Sequence, residues 1–277
     1  MLKKKIKSIL IHIVLVLFSF YFLFPIYWTI TTSFKARQQI LVRIPEWFPK
    51  SWHLSNYVSI LQKGSVGTYF LNSVFVSLVT VGLTLLVASM AGFGLTRSNF
   101  RGRNAISYSI FMVRIVPGLV YMIPFYLIFK EIGLMDNLLG LVLCYVTLSL
   151  PLGIWLFIGF FEEIPRGIYE AGLIDGCSEY SLFTRIAMPL VSTGMVVVAL
   201  LVFLAAWNEF SLALVLTNED AKKTLPIGIN TMIMNQKERP YGFLAAAGTV
   251  AMLPALILSV TTQKYMVQGL TAGAVKG

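Results

Sequence analysis

Four ionisable side chains, Glu170, Asp175, Glu179 and Arg185, fall within sixteen residues that separate two long apolar runs. They make a polar island between two stretches able to cross a bilayer, and the chemistry available to such an island is contact at the membrane surface. Two further charges, Arg114 and Glu209, lie inside apolar runs. A charge at membrane depth is costly and faces a cavity or a partner. Arg114 and Glu209 therefore either line a polar pathway or pair with each other, or with a neighbouring subunit, to hold a bundle together. Asn72 and the Trp207-Asn208 pair are weaker candidates for such a pathway. An aromatic face beside an amide suits a sugar ring, whereas a lone membrane asparagine more often joins helices and a lone tryptophan more often packs.

Bond-making chemistry finds no constellation. There is no G-x-x-x-x-G-K-[ST] phosphate loop, no G-x-S-x-G elbow and no H-E-x-x-H pair in the sequence. Cys144 and Cys177 are far apart, as are His12 and His53, so neither a disulfide nor a metal cluster is expected. No catalytic residue and no metal ligand is assigned, and a membrane enzyme is set aside for want of a catalytic cluster.

The elements that carry these residues follow from composition. The 277 residues are 57% hydrophobic and 12% charged, with a mean hydropathy of +0.79. A soluble chain carries about 25% charged residues. Several runs exceed the roughly 20 apolar residues that span a bilayer core. The expected fold class is an all-α integral membrane protein, a single membrane domain over residues 1–277 with six spans. These are placed at about 9–33, 69–95, 106–129, 138–161, 191–216 and 244–262. The first is too long for the apolar core of a signal peptide and lacks a small-residue cleavage site, so it reads as retained.

Tyr27-Trp28 near the end of the first span suits an aromatic belt. Residues 35–66 form a connector with Pro45, Trp47, Pro49 and Trp52. Ala88 and Gly92, four apart in the second span, allow close helix packing. Pro117-Gly118 and Pro124 break or kink the third span, and Pro151 lies in the fourth. Residues 217–243 read as a polar loop with Lys222, Lys223, Lys237, Glu238 and Arg239, and a small-residue tail runs from Gly269 to Gly277.

The net charge of +10 is explained by basic residues meeting phospholipid head groups; nucleic acid is not an expected partner. Basic residues number eleven on the expected inner side and ten on the outer, so a bare count does not orient the chain. The first helix and the short loop holding Arg97, Arg101 and Arg103 both place the N-terminus inside.

Within the island, about 165–189, Pro165 fits a helix start and residues 166–174 fit a short helix. Gly176 breaks it, Ser178 caps a second helix reaching about Met188, and Glu179 is favourable at that helix's positive end. A plain connector between spans needs about 2–8 residues, far fewer than this segment holds.

The segment resembles the signature of the permease subunits of ATP-binding-cassette importers: E-A-A, three residues, G, nine residues, I-x-L-P. Glu170-Ala171-Gly172, Gly176 and Ile186-Ala187-Met188-Pro189 keep that spacing, with Gly172 in place of the second alanine and Met188 in place of leucine. The first of these changes is expected to loosen the first short helix. Leu71-Asn72-Ser73, Arg97 with Phe100-Arg101-Gly102-Arg103, Ile123-Pro124, Ile174-Asp175-Gly176, Trp207-Asn208-Glu209-Phe210 and Thr224-Leu225-Pro226 are similar to the carbohydrate-uptake branch. Residues 268–277 resemble the tail of the smaller permease subunit of maltose-type importers.

The resemblance implies a coupling helix on the cytoplasmic side between the fourth and fifth spans, with Glu170, Ala171, Gly172, Asp175, Gly176, Ile186 and Pro189 as the ATPase-coupling positions. It implies two cytoplasmic ATP-binding-cassette subunits that hold ATP and magnesium, a second and similar permease subunit, an extracytoplasmic sugar-binding protein facing the 217–243 loop, and a C-terminal tail reaching toward the ATPases. This chain itself would bind no cofactor. Both termini would be cytoplasmic, in a bacterial inner membrane. The candidate substrate path is Asn72, Arg114, Trp207, Asn208 and Glu209, and Arg114 would suit an acidic saccharide. The alternative from another class is a stand-alone secondary transporter with Arg114 and Glu209 as an ion relay, which leaves the 170–189 spacing unexplained.

Overall fold

The computed structural model describes residues 2–62, 65–234 and 241–272. Among these residues every regular element is helical. Four helices are long and apolar enough to cross a membrane: α1 (Leu2–Ser33), α4 (Ser65–Arg97), α7 (Leu138–Glu162) and α14 (Tyr241–Ala272). Two bent helix pairs raise the number to six if each counts as one span. Shorter helices are α2 (Arg37–Ile40), α3 (Ser55–Gln62), α5 (Arg103–Met112), α6 (Met122–Glu131), α8 (Arg166–Ile174), α9 (Glu179–Ser181), α10 (Met188–Leu190), α11 (Ser192–Trp207), α12 (Ser211–Leu216) and α13 (Leu225–Met234).

The described residues fall into two compact units, one within 1–67 and 228–253 and the other within 68–227 and 254–277. In the first, the connector after α1 is held by aromatic rings and by main-chain oxygens. The Tyr27 hydroxyl donates to the Trp47 carbonyl at 2.7 Å, and the Trp28 and Trp47 rings meet edge to face. The rings expected in an aromatic belt thus pack on the connector. Lys35 is buried; its amine donates to the Glu46 carbonyl at 2.5 Å and sits 4.4 Å from the Trp28 ring centre. Asn56 donates to the carbonyls of Ser33 and Lys35, fixing α3 against the end of α1.

The second unit contains the candidate residues. α4 and α7 approach closely where small residues face each other. A Cβ on Gly153 would lie 3.0 Å from the Ala88 Cβ, and one on Gly92 would lie 2.7 Å from the Phe157 Cβ. The Ala88/Gly92 spacing therefore does bring two helices together. One apolar core extends from this contact through Phe157 and Phe161 to Tyr169, Leu182, Ala187 and Val198. It joins α4, α7, α8 and α11 into one packed block.

Three expected elements differ. The third span is two segments, Arg103–Ile115 and Gly118–Glu131, meeting at 91°. Pro117 has no amide hydrogen to continue the helix, and Val116 before it is driven to extended backbone at ψ 122°. The expected fifth span stops at Trp207 and resumes as α12, with a non-helical turn at Asn208–Phe210. The expected polar loop 217–243 contains α13, an apolar helix whose Leu225 and Ile227 are buried. The Leu225 amide donates to Ser73 Oγ at 2.8 Å. Lys237, Glu238, Arg239 and residues 273–277 of the tail lie outside the described residues. Cys144 and Cys177 are both free thiols.

Candidate functional site

The polar island is a helix–turn–helix. α8 begins after Pro165 and ends at a turn where Gly176 has φ +83°, a region that an L side chain enters only with strain. Ser178 Oγ accepts the Ser181 amide at 3.3 Å and starts the second arm. That arm contains a π-helical stretch, Leu182–Ala187, before α10. α8 lies on this stretch through Gly172, where a Cβ would fall 2.6 Å from Leu182 Cδ2 and 2.9 Å from Ile186 Cδ1. The glycine thus serves close packing of the two arms, in place of the loosening expected of it.

Along the segment, Glu170, Ala171, Asp175, Gly176 and Pro189 are exposed, Gly172 is buried and Ile186 is half-buried. Beside the turn, Ile174 is 86% exposed and Tyr180 76% exposed. Large apolar side chains at the tip of an ordered turn are well suited to meeting another surface.

One residue the sequence treated otherwise anchors this segment. Arg97, read as a charge fixing orientation and as part of the family resemblance, donates from Nη2 to Glu179 Oε1 at 3.1 Å, and its guanidinium lies 5.0 Å from the Tyr169 ring centre. The last turn of α4 thereby touches both arms. The ion pair is largely exposed and worth under about 1 kcal/mol, so packing of Tyr169 is the main attachment. Arg103 likewise pairs with Glu162 at the end of α7. Arg97 and Glu179 are 82 residues apart, so no local signal in the sequence pointed to their pairing.

The membrane-depth candidates do not form one cluster. Glu209 Oε1 accepts the Leu212 amide at 2.9 Å, and Oε2 accepts the Ala213 amide at 3.1 Å and the Tyr145 hydroxyl at 2.8 Å. It caps α12 across the break in the fifth span. Trp207 is 3% exposed, stacked on Phe203 and edge-on to Phe70. Asn72 donates to the carbonyls of Ala221 and Lys223, both at 2.9 Å, and fixes the turn before α13. Asn208 is exposed and donates back to the Leu204 carbonyl at 2.8 Å. Arg114 is exposed, with Nη1 3.4 Å from the Leu148 carbonyl, and among the described residues no ion pair joins it to Glu209. Asp136, missed in the sequence, accepts the Asn218 and Glu219 amides and ties the turn before α7 to the turn after α12. A contact across 82 residues has no local sequence signal.

Residues 84–272 match the model of the family described as binding-protein-dependent transport system inner membrane components. The chain belongs to that family. The permease is 34% identical over 255 residues to the sulfoquinovosyl glycerol transport system permease protein of Agrobacterium fabrum, covering 92% of this chain and 89% of the relative. It is 32% identical over 279 residues to the trehalose/maltose transport system permease protein of Thermococcus litoralis, covering 100% of each. A solved structure of a bacterial ABC transporter involved in import of the acidic polysaccharide alginate has a chain with the same fold, at a TM-score of 0.80 and 21% identity over 95% of this chain and 97% of that one. The permease is thus a multi-pass inner-membrane subunit of an ABC-type, binding-protein-dependent transporter. The ion-coupled alternative finds no support among these relatives.

Proposed function

We propose that this permease is one of two similar membrane subunits of an ATP-driven sugar importer, working as one membrane domain, and that residues 165–189 are its coupling segment. The observation that carries the coupling assignment is the exposed Glu170 and Ile174 at the tip of a helix–turn–helix whose inner side shares a core with α4, α7 and α11. A segment packed in this way moves with its helices as a block. Seated in a cleft of a cytoplasmic ATPase, it would turn closure of the ATPase pair on ATP and magnesium into rotation of the spans. Glu170 would pair with polar groups of the cleft, and Gly176 would supply a turn that a side chain enters only with strain.

Orientation follows from this assignment: both termini are cytoplasmic, and the turns carrying Asp136 and Asn72's partners face the binding protein. The substrate class is a sugar or oligosaccharide, supported by the relatives named for sulfoquinovosyl glycerol and for trehalose and maltose. Of the path candidates, Arg114 and Asn208 are exposed and free to meet a passing solute, whereas Glu209, Trp207 and Asn72 are engaged in holding the bundle.

Gentle affinity purification of the chain with mass spectrometry of its companions tests the assembly. Two copies of an ATPase and one related permease are expected; a chain that is isolated alone and still active in uptake would overturn it. Glu170→Lys is expected to lose the ATPase or to hydrolyse ATP without import. Normal import by that variant would remove Glu170 from the seat.

A further inference from the structure

A cavity of about 460 Å³ opens where α4, α5, α7 and α8 end or begin. Its lining includes Arg97, Arg103, Glu162, Arg166, Tyr169 and Glu170. Two donors there are buried and, among the described residues, have no hydrogen-bond acceptor: Arg97 Nε and the Tyr169 hydroxyl. Tyr169 is 3% exposed, so water does not readily serve it. Buried donors left unmade are costly, and each such group calls for an explanation.

The charges around these donors favour an anion. Arg103 is paired with Glu162, and Arg97 gives Nη2 to Glu179. Arg166 is exposed, and no ion pair among the described residues engages it. Arg97 and Arg103 are thus held by Glu179 and Glu162, and Arg166 is the guanidinium on the wall that no carboxylate among the described residues engages. An N–H, an O–H and an open guanidinium around one space match an acceptor with several charged oxygens. The cavity also lies where α4 and α7 leave their apolar runs, which is the depth of phospholipid head groups.

We propose that this cavity holds a phosphate group, bound by Arg97 Nε, the Tyr169 hydroxyl and Arg166. Burial pushes the Tyr169 phenol up, against an opposing effect of Arg97, so the hydroxyl remains a donor at neutral pH. The phosphate can come from an anionic lipid head group or from free phosphate. Either would tie the inner end of α4 to α8 at the base of the helix–turn–helix, making the attachment of that segment responsive to its anionic surroundings.

The test uses the complete transporter complex, stripped of lipid in a zwitterionic detergent and kept in phosphate-free buffer. Native mass spectrometry follows titration with dioctanoyl phosphatidylglycerol, with dioctanoylglycerol lacking the phosphate, and with inorganic phosphate. Saturable binding of the phospholipid but not of inorganic phosphate identifies the lipid source; saturation by inorganic phosphate identifies the free ion. In either case Tyr169→Phe, which keeps the ring, is expected to weaken binding about tenfold through loss of one hydrogen bond to a charged group. Arg166→Gln, at an exposed position that folding does not depend on, is expected to weaken it severalfold. The proposal is overturned if neither phosphate compound saturates, if dioctanoylglycerol binds equally well, or if both variants bind as the parent does. It is also overturned if binding is seen with the permease pair alone and vanishes when the ATPases are present, since a partner side chain would then be the occupant. None of these readings depends on which sugar is carried.

Discussion

The Tyr145 hydroxyl donates to Glu209 Oε2 at 2.8 Å, joining the middle of α7 to the turn that begins α12. With the Leu212 and Ala213 amides on the same carboxylate, Glu209 satisfies three donors at a break in the membrane bundle. Glu209→Ala removes a helix cap and orphans a buried hydroxyl, and is expected to destabilise the protein by about 2 kcal/mol. Tyr145→Phe should cost about half as much. Thermal unfolding of the purified complex measures both. An unchanged midpoint in Glu209→Ala, with uptake abolished, would instead return the residue to the transport path.

The two glycines of the helix–turn–helix should respond differently to alanine. At Gly172 the obstructing atoms are the tips of Leu182 and Ile186, which can rotate aside, and alanine improves helix propensity by about 1 kcal/mol. Gly172→Ala is therefore expected to be near neutral in stability and uptake. At Gly176, φ +83° imposes strain on any side chain of about 1–2 kcal/mol, although the space around it is open. Gly176→Ala should weaken retention of the ATPase on a pull-down, and equal retention by the two variants would contradict this contrast.

Where α4 meets α7, the obstruction at Gly92 is backbone as well as side chain, with the Ile158 amide nitrogen 3.2 Å from a built Cβ. A backbone cannot rotate away. Gly92→Leu is expected to cost about 1–3 kcal/mol by overpacking, seen as a lower yield of folded complex. Gly94 has open space around it, so Gly94→Leu serves as the matched control and should fold normally.

Alkaline stability should report the burial of Tyr169. Its phenol titrates above the ordinary value of 10.0 in the folded protein. Above that pH the unfolded chain gives up its proton first and the folded chain keeps it, so folding loses ground as pH rises. Tyr169→Phe is expected to flatten the decline in unfolding midpoint above pH 10, with little change at neutral pH. An identical decline in both proteins would show that the phenol titrates as if exposed.

The apolar runs, the small-residue contact of α4 and the caps of the helix–turn–helix were all legible in the sequence, because each depends on residues close together in the chain. Ser178 and Gly176 act within a few residues of themselves and behave as their types predict. The breaks were less legible. Pro117 announced a kink but not a 91° turn, since the angle is set by what packs on either side. The cap that Glu209 makes on the Leu212 and Ala213 amides is local, but its tie to Tyr145 comes from another helix and had no signal nearby. α13 was hidden by the charges around it: Lys222, Lys223 and the 237–239 cluster dominate the window, while Leu225 and Ile227 find their burial far away in sequence.

The π-helical stretch Leu182–Ala187 sits between the turn at Gly176 and α11. A π turn carries one residue more than an α turn, so the stretch takes up a surplus residue within one turn and hands the chain on in phase. The arm then bends by 78° between Leu190 and Ser192 as it enters α11. Deleting one residue of the stretch would let it wind as an ordinary α-helix and leave the faces of α11 as they are. Deleting one residue of α11 itself has no such slack to draw on and would turn every face beyond the cut by about 100°. The surplus turn is therefore a tolerance built into the path from the surface to the membrane.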